Sequence, residues 1–185
     1  MPGTLAELAA EHPGKTLEVR FEDECRFGQK GTLTTVWADR GSRPVAPRPD
    51  EYGNLHVLAA VCPATGRAEG LISERLDVGV VQIFLDQLAT TIAADTQVVM
   101  VWDGAPYHTS GKLRVPANIT IVRLPPYSPE LNPVENLWHF LRSHHWSNRN
   151  YVDLEAVEAA AMDAWAKVCL NPETIRSVCA CPYLN

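Results

Sequence analysis

Residues Gln97–Asp103 read "QVVMVWD". Their apolar run, Val98 to Trp102, leaves no polar face, as expected of a short strand buried on both sides and central in a sheet. Upstream, Thr16–Glu24, "TLEVRFEDE", alternates. Leu17, Val19, Phe21 and Asp23 fall on one face, and Glu18, Arg20, Glu22 and Glu24 on the other. "GTLTTVWAD" (31–39) and "NLHVLAAVC" (54–62) are further predicted strands, separated by a Pro/Gly-rich loop. "AEGLISERL" (68–76) is a possible strand, and "ITIVRL" (119–124) another. A helix is predicted from Val78 to Ala94, with Val81, Phe84, Leu85 and Leu88 at helical spacing. Two helices are predicted to finish the chain: Val134, Leu137, Trp138 and Leu141 form one stripe, and Leu154, Val157, Ala161, Ala164, Trp165 and Val168 the other. Strands first, then a helix crossing to a strand, another strand and terminal helices give an α/β layered domain around a mixed sheet.

The chain has 185 residues, the size of one domain with a real core. No apolar run approaches the roughly 20 residues that span a bilayer. The N-terminal stretch lacks the basic-then-apolar pattern of a signal peptide, so a cytoplasmic protein is expected. The five cysteines are odd in number, and Cys179 and Cys181 form a lone C-x-C without a second pair at zinc-ligand spacing. Reduced, partly buried thiols are expected. The net charge of −6 argues against a nucleic-acid binder, but the charges are segregated. Arg26, Lys30, Arg40, Arg43 and Arg48 face only Asp39 in their stretch. Lys112, Arg114, Arg123, Arg142 and Arg149 face Glu130 and Glu135 in theirs, with four histidines besides. Such segregation fits either a basic face on an acidic body or merely solvated loops.

Three carboxylates need a reason. Asp23 lies on the apolar face of its strand, where a charge must be hydrogen-bonded, paired or metal-bound; a local hydrogen bond or Arg26 would satisfy it as well. Asp103 ends the central strand, the end at which open α/β sheets place ligands; followed by Gly104, it also suits a turn. Glu135 follows Asn132, a good N-cap, and Pro133, suited to the first helical position. Asn-x-x-Glu resembles a capping box. That does not account for the stiff lead-in of Pro125, Pro126, Tyr127, Ser128 and Pro129. Together the three could hold hard divalent ions, which take oxygen ligands and drive in-line phosphoryl displacement when paired about 4 Å apart.

"FEDECRF", "VVMVWDGAPYH" and "LPPYSPELNPVENLWHFLR" resemble the three catalytic blocks of DDE transposases, closest to the bacterial insertion-sequence branch related to the mariner elements. The third block is the most specific, and the likeness runs from about Leu17 to Ala166. It implies a ribonuclease-H-like fold with a mixed five-stranded sheet flanked by helices. Residues 1–16 would be a tail or short helix and 17–185 the catalytic domain. Asp23, Asp103 and Glu135 would be the catalytic and metal-binding triad for two Mg²⁺ or Mn²⁺ ions. His108 would order the catalytic loop, touch DNA, or simply stand at a helix start. Tyr127, Arg142, Lys30 and Arg26 would contact the DNA backbone, fixing position without reading sequence. The partners would be transposon ends and target DNA, with a homodimer for synapsis, no membrane, and a place on the nucleoid. The activity would be hydrolysis at transposon ends, then joining of the 3′-OH to target DNA. Because members of that group usually carry helix-turn-helix modules ahead of the catalytic domain, the short segment before the first strand points to an excised domain, half of a split gene or a relic. The alternatives are a ribonuclease-H-like nuclease without strand transfer, or an inactive relic serving as a binding or dimerisation module.

Overall fold

The computed structural model describes residues 2–31, 33–45 and 52–181. Arg48 of the first basic stretch lies outside them. The elements are α1 (Pro2–Glu11), β1 (Thr16–Gly28), β2 (Asn54–Cys62), β3 (Arg67–Ser73), α2 (Val78–Thr91), β4 (Thr96–Trp102), β5 (Ile119–Arg123), α3 (Val134–Leu141), α4 (Leu154–Ala164) and α5 (Pro172–Val178). The sheet has five strands in the order β3-β2-β1-β4-β5. β1 pairs antiparallel with β2 and parallel with β4, so the sheet is mixed. The all-apolar strand β4 lies between β1 and β5, as its two buried faces require.

Register explains where the site forms. β1 is 13 residues long and β4 is 7. Their ladder runs from Thr16↔Thr96 to Phe21↔Val101, after which β4 ends while β1 continues against β2 as far as Gly28. Two residues further along that register, Asp23 of β1 stands level with Asp103, just past the end of β4.

Each face of the sheet carries a core. On one, Phe21, Cys25, Val57, Ala59 and Val101 pack under Leu137, Trp138 and Leu141 of α3, Val157 and Ala161 of α4, and Ile175 of α5. On the other, Leu58, Ala60, Val98, Met100 and Trp102 pack under Val81, Phe84, Leu85 and Leu88 of α2. Asp77 caps α2 by accepting from Val80 N–H at 3.0 Å. All five cysteines are buried. Among the described residues, no helix is long and apolar enough to cross a membrane.

Two expectations are corrected. Residues 33–39 form no strand. Among the described residues they have no neighbouring strand, and a single Asn148 amide, bonded to both Thr34 N–H and Thr34 C=O, takes the place of a ladder. A third terminal helix, α5, follows the two predicted ones, opened by Asn171 accepting from Glu173 and Thr174 N–H with Pro172 at its first turn. The charged face of β1 is covered. Arg20 and Glu22 are each 1% exposed, because α2 and the loop after β4 cover that side.

Candidate active site

The cleft beyond the end of β4 measures about 490 Å³ and is lined by Asp23, Asp103 and Glu135 together with the segment Leu124–Pro129 and Asn132. Three elements far apart in sequence thus bring the three carboxylates to one wall-to-wall space. No lysine or arginine is among the described residues that line it.

Asp23 is half-buried, and its Oδ2 accepts a hydrogen bond from Trp138 Nε1–H at 2.9 Å. Burial, then the negative charges of Glu135 and Glu24, push its carboxyl up to about 7, against the pull of Trp138. Arg26 does not pair with it; that guanidinium donates to Asn54 Oδ1 at 2.7 Å. The repulsion from Glu135 shows that these carboxylates crowd one space. Oxygen donors of this kind, without a competing basic side chain, fit hard divalent ions such as Mg²⁺ or Mn²⁺.

Glu135 owes its place to the segment before it. Asn132 is buried; its Nδ2 donates to Glu22 C=O at 2.9 Å, and its Oδ1 accepts from Val134 N–H at 3.2 Å. One side chain therefore ties the start of α3 to the strand that carries Asp23. The capping box does not form: Asn132 N–H donates to Pro129 C=O at 2.9 Å, and Glu135 is exposed towards the cleft. Val134, Leu137, Trp138 and Leu141 are buried on the opposite side of α3, which leaves Glu135 facing out.

Beneath the cleft lies a second group that carries no motif of its own. His108 is buried, 4% exposed, and so does not stand on a DNA-facing surface. Its Nδ1 is 2.9 Å from Asp103 Oδ1, and its Nε2 is 2.9 Å from Glu24 Oε1 and 3.1 Å from Glu22 Oε2. Both ring nitrogens face carboxylates, so both donate. Burial opposes the charged ring, but Glu22 and Glu24 outweigh it and raise the His108 pKa. Nε2–H is directed chiefly to Glu24, with Glu22 Oε2 as its second carboxylate neighbour. Burial and the charge of Glu24 raise the Glu22 pKa. The ligand atoms of Glu22, Glu24 and His108 lie within 4.8 Å of one another, close enough to share an ion. The 2.9 Å contact between Glu24 and the ring is the length of a charge-assisted hydrogen bond, which already satisfies both. This group is enclosed because β1 lies between β2 and β4, both of them apolar on both faces.

The other sequence-predicted residues divide. Tyr127 lies on the rim of the cleft, fully exposed and in a left-handed conformation, φ 57°. Arg142 is half-buried, near enough to Cys25 to oppose the rise in its thiol pKa. Arg26 and Lys30 are exposed and line a separate cleft with Tyr52 and Asn54, where Lys30 Nζ lies 4.4 Å from the Tyr52 ring centre.

Comparison with known proteins places this fold. The mariner Mos1 paired-end complex with Mn superposes with a TM-score of 0.67 at 17% identity, covering 96% of this chain and 55% of that one. The pre-cleavage Mos1 transpososome gives 0.62 at 17%, covering 96% and 56%. The chain thus spans about half the length of the Mos1 chains it matches, and the shared fold is the ribonuclease-H-like α/β sheet. A relative from Sinorhizobium fredii, the uncharacterized protein y4pE/y4sA, is 37% identical over 123 residues, 66% of this chain and 91% of the relative. Residues 18–158 match the DDE superfamily endonucleases, and the chain belongs to that family.

Proposed function

We propose that this chain is the catalytic domain of a transposase, cleaving phosphodiester bonds at the ends of a mobile DNA element and joining the freed 3′-OH to target DNA. The observation that carries the reading is the convergence of Asp23, Asp103 and Glu135 on one cleft free of basic side chains among its described lining. On this reading residues 17–185 are the catalytic unit and α1 lies outside it.

Asp23, Asp103 and Glu135 would hold two divalent ions. Bound ions supply Lewis-acid stabilisation of the attacking and leaving oxygens in an in-line displacement. The chain's own contribution is position. Trp138 holds one oxygen of Asp23, Asn132 fixes the start of α3 against β1, and the proline-rich segment keeps Glu135 at the cleft without much conformational freedom. Lys30, Arg26, Arg142 and the rim residue Tyr127 would meet the DNA backbone. The net charge of −6 makes DNA affinity weak without ions and without further DNA-binding modules. Mos1 is seen in paired-end and strand-transfer complexes; by that likeness, a pair of chains would hold two ends, in the cytoplasm on the nucleoid.

The test is a cleavage and joining assay on labelled duplexes carrying the element's ends, with Mg²⁺ or Mn²⁺. Glu135→Gln should lower nicking by about a hundredfold or more, the scale of losing a group that stabilises transition-state charge, and should leave the thermal midpoint in place or raise it. Nicking unaffected by the substitution contradicts the reading. Nicking without joining favours a nuclease over a transposase.

A further inference from the structure

We propose that His108 is the positioning residue for Asp103, anchored on β1 by Glu24 and Glu22; this rests on the reading of Asp103 as a cation ligand. Asp103 needs such a device. Its side chain is 57% exposed, it follows the last residue of β4, and Gly104 comes next. An exposed carboxylate at a strand end samples several rotamers, and each ion it binds must first restrict it.

The contacts are one-sided. Asp103 Oδ1 receives Ala105 N–H and His108 Nδ1, both at 2.9 Å. Two donors on one oxygen set the carboxylate plane and leave Oδ2 for the cleft. The ring that does this cannot turn. It stacks on Trp102 at 4.3 Å with 4° between planes, meets Tyr107 edge-on at 4.8 Å, and reaches Glu24 through Nε2 at 2.9 Å. Tyr107 O–H adds a bond to the other Glu24 oxygen at 3.2 Å. Glu24 neighbours Asp23 in β1, and strand alternation sends one side chain to the cleft and the other beneath the sheet. A continuous chain of contacts therefore runs from the backbone of Asp23 through Glu24 and His108 to Asp103. It fixes the spacing of the two aspartates from beneath the sheet, away from the cleft. Hydrogen-bond partners behind a metal ligand change metal affinity by about 10–100-fold when lost.

The experiment is Mn²⁺ titration by calorimetry, without DNA, on the wild type and on Asp103→Ala, His108→Ala, His108→Asn, His108→Gln and Glu24→Gln, each with its thermal midpoint. An asparagine amide stands where Nδ1 stood and still reaches Asp103; a glutamine amide stands where Nε2 stood and does not. Expected are loss of tight Mn²⁺ binding in Asp103→Ala, a 10–100-fold weaker Kd in His108→Ala, recovery to within a few-fold in His108→Asn, and none in His108→Gln. A side chain that only fills space would make asparagine and glutamine equivalent, and that result overturns the proposal even if the alanine variant fails to fold. Wild-type affinity in His108→Ala, with Asp103→Ala impaired, overturns it while sparing the cation reading. Undiminished binding in Asp103→Ala overturns both. Loss of a whole bound ion in Glu24→Gln, read from stoichiometry, makes the group beneath the sheet a cation site and ends the positioning role.

Discussion

Replacing Asp23 by asparagine should stabilise the ion-free protein at alkaline pH. Burial and the nearby Glu135 and Glu24 raise the Asp23 carboxyl from 3.8 to about 7. A shift of about 3 units makes the ionised carboxylate up to about 4 kcal/mol less favourable in the folded chain than in the unfolded one. The sign follows from proton uptake. Between pH 3.8 and about 7 the folded state holds the proton that the unfolded state has released, so stability falls as pH rises, and above about 7 the loss is complete. Asparagine keeps the acceptor for Trp138 and removes the charge, but its new amide N–H₂ needs partners. A net gain of about 1–2 kcal/mol is expected, or about 3–6 °C in Tm for a chain of this size. Urea denaturation with chelator present, at pH 8 and at pH 5, measures it. The gain should shrink to less than half at pH 5. Saturating Mg²⁺ should narrow or reverse the difference at pH 8 by stabilising only the wild type. An equal gain at both pH values, or a variant less stable at pH 8, refutes the electrostatic reasoning. Glu135→Gln should carry part of the same gain, and the double variant should fall short of the sum, since each relieves one repulsion.

Two further perturbations test how the cleft is held together. Trp138→Phe removes the hydrogen bond that lowers the Asp23 pKa, so the pH at which Mn²⁺ binding reaches half its maximum should move up, as seen by calorimetry between pH 6 and 8.5. Asn132→Ala leaves Glu22 C=O and Val134 N–H without their buried partner; it should cost about 2–4 kcal/mol in urea denaturation and weaken ion binding, because Glu135 loses its tie to β1.

Much of this was legible in the residues. An unbroken apolar strand must be central, and "QVVMVWD" is. A carboxylate on an apolar strand face needs a partner, and Asp23 opens onto a cleft shared with two more carboxylates. The stripe of α3 correctly placed Glu135 away from the core. What stayed hidden depended on long-range covering. Alternation in β1 cannot reveal whether its charged face meets water or α2; Glu22 and Arg20 are fully enclosed there and Glu24 nearly so. The stretch 33–39 has strand-like composition but no neighbour among the described residues to pair with, and propensity without a partner makes no strand. The capping box fails because a turn at Pro129–Leu131 already satisfies Asn132 N–H. His108, visible only as five residues beyond Asp103, acquires its meaning from a ring stacked on Trp102 and two carboxylates that arrive from another strand.

The most direct test of the central claim is a crystal of this domain soaked in Mn²⁺, with anomalous scattering used to locate the ions. Density between the carboxylates of residues 23, 103 and 135, with oxygen ligands at about 2.1–2.2 Å, is the expected result. Density only at Glu22, Glu24 and His108, or none at millimolar Mn²⁺, would contradict it.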